Sequence, residues 1–76
     1  MRFDWDDTKA ASNLRKHRVS FEEGITAFDD PFVLIAEDQS HSTANEERRW
    51  LIGESDDRVL VVVFTIRHPG NVCRLI

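Results

Sequence analysis

The sequence predicts an α+β fold, with two N-terminal helices on one face of a small antiparallel sheet. Three observations carry that expectation. Apolar residues at helical spacing lie in the first thirty positions, and the second half holds four strand-like runs. Short turns, too brief for crossovers, join the last three runs, which implies a meander. The expected order is β-α-α-β-β-β-β.

Each element follows from local chemistry. "RFDW" alternates polar and apolar, with Phe3 and Trp5 at the strand period. Asp6 is placed to cap a helix over 7–17, with Asp7 favoured by the dipole in its first turn. Ala10, Ala11 and Leu14 are expected on the inner side of that helix, and Lys16 and His17 complement its negative end. "SFEE" at 20–23 has the capping-box form. The helix it opens runs to about Asp29, with Phe21, Ile25 and Phe28 on one face, and "DDP" ends it. Strands are expected at 32–37, 48–54, 58–67 and 71–76, with "SDD" at 55–57 turning between the second and third of these. "DQSHSTANEE" reads as a polar loop, its "EE" leading into an exposed strand start at 46–49.

The totals narrow the class. Seventy-six residues make one domain, 1–76, and a chain this short buries only about 60% of its unfolded surface. A single cysteine, Cys73, excludes an internal disulfide and a cysteine-based zinc site. The polar, acidic start does not read as a signal peptide, and no apolar run reaches the roughly 18 residues of a membrane span. A soluble, cytoplasmic protein is expected. The net charge of −4 argues against a broad nucleic-acid footprint. Positive charge is nevertheless clustered at 15–18, at Arg48 and Arg49, and at Arg67 with Arg74.

The long strand raises a covering problem. Leu60, Val62, Phe64 and Ile66 take one side; Val59, Val61, Val63, Thr65 and Arg67 take the other. Both sides are apolar near the middle, so the strand is expected to be central and covered twice. Two helices cover one face. The other is expected to be covered from outside residues 1–76, by a partner or a second copy.

After the long strand, Pro69-Gly70 fits the centre of a type II turn. A two-residue loop there sets His68 opposite Asn71, Arg67 opposite Val72 and Thr65 opposite Arg74. Arg67 and Arg74 then become diagonal neighbours on one face, with Cβ atoms roughly 7–8 Å apart. That spacing suits convergence on one phosphate, and it equally suits two solvated arginines paired with acidic neighbours. Cys73 falls on the opposite face with Leu75, as a small buried apolar residue. Lys16 and His17 offer a cation and a proton-transferring imidazole, or simply a dipole-compensating helix end. His41 lies near Asp38 in the polar loop, and a metal site there would need more ligands.

The motif W-D-x-x-K-A-x-x-N-x-x-K-H-x-V-S-F-E-E at 5–23, "DQSHS", E-R-R-x-L-x-G at 47–53, "RVLVVVFTIR" and "RLI" resemble the BrnT family of type II toxins. The resemblance implies a RelE-like fold and a metal-independent ribonuclease, without cofactor, that inhibits translation. It further implies a BrnA-type ribbon-helix-helix antitoxin, which neutralises the toxin. Carried over residue by residue, Lys16 and His17 match the family's K-H pair, and Arg48 matches its E-R step. Arg67 matches the basic position ending the long strand, and Arg74 the arginine opening the last one. The resemblance thus implies Arg67, Arg74 and His17 as catalytic and Lys16 and Arg48 as RNA-binding. The family pattern continues past Arg-x-Ile into a Ser-Ala-Arg step and a basic helix that residues 1–76 do not include. An attenuated toxin acting as an antitoxin-binding or self-associating module is therefore the alternative expectation. A helix-turn-helix reading of 13–28 is disfavoured, because Glu22 and Glu23 would meet DNA at the start of the recognition helix.

Overall fold

The structure, a computed structural model, describes residues 2–44, 46–67 and 70–76. Strand β1 (Arg2–Asp4) is followed by α1 (Asp7–His17) and α2 (Phe21–Thr26), which a 3₁₀ turn at Ala27–Asp29 prolongs. Then come β2 (Leu34–Glu37), a 3₁₀ turn at Gln39–His41, β3 (Glu46–Ser55), β4 (Arg58–Arg67) and β5 (Val72–Leu75).

The helix ends are set by side-chain caps. Asp6 accepts from the amides of Thr8 at 2.8 Å and Lys9 at 3.1 Å. Those two amide bonds hold its carboxyl below the usual aspartate value. Arg18, left-handed at φ 57°, closes α1 by donating its amide to the Leu14 carbonyl at 2.8 Å. Ser20 Oγ accepts from the Glu23 amide at 3.0 Å and opens α2.

Sheet order is β1-β5-β4-β3-β2. The three pairings among β2, β3, β4 and β5 are antiparallel, whereas β1 lies parallel to β5, with Phe3 opposite Cys73 and Asp4 opposite Arg74. The sheet is thus mixed, which corrects the all-antiparallel expectation. The helices carry the chain away from β1, and β5 returns at the end to leave β1 its one open edge. β2 begins at Leu34, not at 32, because the Phe32 amide donates to Asp30 Oδ1 at 2.9 Å instead of to a strand. β3 begins at Glu46, so Glu46 to Arg49 lie inside the ladder and are half-buried. Asp56 and Asp57, with φ of 47° and 65°, form the tight turn into β4. The expected Pro69 turn and the placement of His68 lie outside the described residues. Beyond them, Gly70 has φ 104° and Asn71 φ 52°.

One sheet face carries the core. Leu51, Leu60, Val62, Phe64, Cys73 and Leu75 are buried there with Phe21 and Ala27. Edge-on aromatic contacts tie the helical segments to the sheet and to the residue just past β1: Phe3 to Phe28 at 5.1 Å, Phe28 to Phe64 at 5.2 Å, and Trp5 to Phe21 at 5.8 Å. α1 contributes less than expected. Ala10 packs against the core, but Ala11 is exposed and Leu14 is 50% exposed, because α1 flanks the end of β5 and does not lie across the sheet. On the other face Val59 is 71% and Val61 64% exposed, as the covering argument anticipates for a chain with two helices.

Two glycines differ sharply in the room around them. A Cβ on Gly53 would lie 2.7 Å from the Ala27 carbonyl oxygen, whereas one on Gly24 would have its nearest neighbour, Val62 Cγ2, at 3.6 Å. Gly53→Ala is expected to lower unfolding stability by about 1–3 kcal/mol. Gly24→Ala is expected to leave it unchanged or raise it by about 0.5–1 kcal/mol, since alanine is the better helix former. Urea midpoints of the two variants against the parent check both.

Candidate functional site: an arginine row on the uncovered sheet face

The register of four strands writes one row across the uncovered face. Asp4 of β1 pairs with Arg74 of β5, Arg74 with Thr65 of β4, and Thr65 with Arg48 of β3. Asp38, just past β2, donates its amide to the Arg48 carbonyl at 2.8 Å and extends the row. Residues directly opposite one another project from the same face. The row therefore reads acid, arginine, threonine, arginine, acid. Its two arginines, two strand spacings apart, have Cα atoms about 10 Å from each other.

Each arginine is steadied from its outer side. Arg74 Nη1 lies 3.5 Å from Asp4 Oδ1, and Arg48 Nε lies 3.7 Å from Asp38 Oδ2. A guanidinium has five N–H donors, so one carboxylate at its edge leaves others for a ligand. Between them Thr65 is 1% exposed, and its Oγ1 is buried without a hydrogen-bond partner among the described residues. Arg67 stands one row further along the same face, opposite Val72, with its Nε 3.7 Å from Glu46 Oε2. Arg67 and Arg74 are therefore the diagonal neighbours that the hairpin register implied.

α1 supplies the far side of the site. Lys9, Ser12, Asn13, Lys16 and His17 line a groove of about 310 Å³ together with Arg48 and Ile76. The structure thus joins Lys16, His17 and Arg48 in one groove and sets Arg74 beside Arg48 in the row. Arg67 and Arg74 do not line the groove itself. Although the chain carries a net charge of −4, this surface gathers five of its ten lysines and arginines.

The Asp38–His41 pair that the sequence placed in the polar loop proves to be part of a larger cluster. Asp38 holds His41 Nδ1 at 2.9 Å and accepts from Ser40 Oγ at 3.0 Å. The His41 hydrogen bond first, then the Ser40 bond and the charges of His41 and Arg48, hold the Asp38 carboxyl below its usual value. Ser42 Oγ donates to the Asp38 carbonyl at 2.8 Å and accepts from the Arg48 amide at 2.9 Å, stitching this loop to β3. The D-x-x-H spacing was visible. Its link to Arg48, which depends on the β2–β3 fold-back, was not.

Fold and face together define a small α+β protein that presents a basic row on an otherwise uncovered sheet. Residues 5–76 match the family described as the ribonuclease toxin BrnT of type II toxin–antitoxin systems, and the chain belongs to that family. Membership implies an antitoxin partner. No match was found among curated proteins. Among the described residues, no helix is long and apolar enough to cross a membrane.

Cys73 stands apart from this chemistry. It is 1% exposed, and burial, aided by the nearby Asp4 charge, pushes its thiol up to about 11. At pH 8 the folded protein is expected to leave a thiol reagent unreacted and to react only on unfolding. Absorbance of the released chromophore, with and without denaturant, is the measurement.

Proposed function

We propose that the chain is a RelE-like endoribonuclease that arrests translation by directing a ribose 2′-hydroxyl onto the adjacent phosphate. The arginine row carries this reading. As the O2′–P bond forms and the P–O5′ bond breaks, charge accumulates on the equatorial phosphate oxygens. Guanidinium donors placed beforehand on those oxygens lower that barrier. Arg48 and Arg74 bear this charge, and Arg67, one row away, binds along the backbone and contributes to it. Lys16 draws RNA into the groove, and His17 exchanges a proton with the reacting oxygens. Products are a 2′,3′-cyclic phosphate and a 5′-hydroxyl.

The antitoxin in this reading is a BrnA-type ribbon-helix-helix protein. The exposed Val59 and Val61 give it an apolar seat next to the basic groove, and they favour self-association when it is absent. Val61→Asp is expected to shift the protein toward monomer at micromolar concentration, read by light scattering after size exclusion. A parent chain that is already strictly monomeric would count against the self-association.

The decisive experiment compares an all-ribose oligonucleotide with its 2′-O-methyl counterpart. Cleavage of the first alone is expected. Arg74→Ala or Arg48→Ala should reduce the cleavage rate about 10²–10³-fold without loss of the fold. Arg67→Ala should both weaken RNA binding and slow the reaction. Equal cleavage of the 2′-O-methyl strand would overturn the mechanism.

A further inference from the structure

The Asp38–His41 pair has no part in the chemistry above, yet it abuts the guanidinium most central to it. We infer that His41 is the base that takes the 2′-hydroxyl proton, with Asp38 as its positioning residue; this deepens, and rests on, the ribonuclease reading.

The geometry specifies the tautomer. His41 Nδ1 lies 3.0 Å from Asp38 Oδ1 and 2.9 Å from Oδ2. A carboxylate only accepts, so the Nδ1 hydrogen points at Asp38, and in the neutral ring Nε2 keeps its lone pair. Nε2 has no hydrogen-bond partner among the described residues, and the side chain is 62% exposed, so an RNA hydroxyl can reach it. The ring is also anchored. Its backbone amide donates to the Asp38 carbonyl at 3.2 Å, and Ser40 Oγ lies 3.2 Å from Nδ1. Ser42 then fixes the loop to Arg48 through the bonds described above. Among the described residues, the charged groups paired with the ring are Asp38 and, beyond it, Arg48.

Arg48 consequently neighbours two imidazoles: His17 lines the same groove, and His41 is bonded to the Asp38 carboxylate that lies 3.7 Å from the Arg48 Nε. In-line displacement needs a proton acceptor at the attacking oxygen and a donor at the leaving one, on opposite sides of the phosphorus. His41 Nε2 accepts the 2′-hydroxyl proton as O2′–P forms. The Asp38 carboxylate stabilises the resulting imidazolium, and Arg48 stabilises the phosphorane. As P–O5′ breaks, protonated His17 gives its proton to the departing oxygen. Two proton transfers, one bond made and one broken, close the balance without another reagent.

The test follows cleavage of the ribose oligonucleotide against pH, with binding of the 2′-O-methyl strand measured in parallel. His41→Ala is expected to lower the rate about 10²–10⁴-fold while binding and the urea midpoint hold. A base must be unprotonated to act, so the parent rate should fall on the acid side, and the variant should lose that limb. Added imidazole should restore part of the lost activity. Asp38→Asn should slow cleavage at unchanged affinity. His41→Ala cleaving like the parent overturns the inference alone, and so does a rate loss that tracks lost binding and resists imidazole. A folded parent that cleaves no RNA overturns the ribonuclease reading, and this assignment falls with it.

Discussion

The structure depends on the pairing of β3 with β4 in a single register. Ten residues face ten, from Glu46 opposite Arg67 to Ser55 opposite Arg58. A two-residue turn of left-handed aspartates locks the ladder at one end. Side chains alternate along a strand, so a slip of one residue would exchange the two faces. Leu51 would leave its place beside Val62 in the core, and Arg48 would leave its place beside Thr65. Core and basic row are thus two outcomes of one alignment. The apolar residues that must be buried on one side hold the arginines in place on the other.

Electrostatics then refines what register provides. The basic row is bounded by Asp4 at one end and Asp38 at the other, each beside its arginine and neither between the two. This keeps the outward flanks occupied and leaves the centre of the row to the arginines and Thr65. A small acidic protein can in this way hold a compact cationic surface. The partial exposure of these pairs makes them weak sources of stability. Their effect is orientation.

Much of this was legible in the chain. Asp6 and Ser20 announced the helix starts, because capping is local chemistry between residues two or three apart. The Thr65–Arg74 and Arg67–Val72 pairings followed from counting back around a short connection. The parallel seat of β1 on β5 was hidden, since it joins residues about seventy positions apart and a three-residue strand does not advertise its partner. Leu14 misled for the opposite reason. Its spacing fits an inward helical face, but α1 flanks the end of β5 and exposes that position. The Asp38–His41–Arg48 contacts were overlooked because they depend on a loop folding back onto β3. The family resemblance reached Lys16, His17, Arg48, Arg67 and Arg74, while the link from the Asp38–His41 pair to Arg48 became visible only in three dimensions.

The seat of β1 against β5 also bears on how the molecule is made. Phe3 and Asp4 leave the ribosome about seventy residues before Cys73 and Arg74, their partners in the ladder. Domains being synthesised acquire their contacts from the N-terminal side onward, and contacts between distant segments form late. Asp4 therefore waits for Arg74 while about seventy further residues are made, and the row that joins them stays open until then. The basic row is completed only once β1 and β5 have both been made, so any shorter nascent chain carries it unassembled.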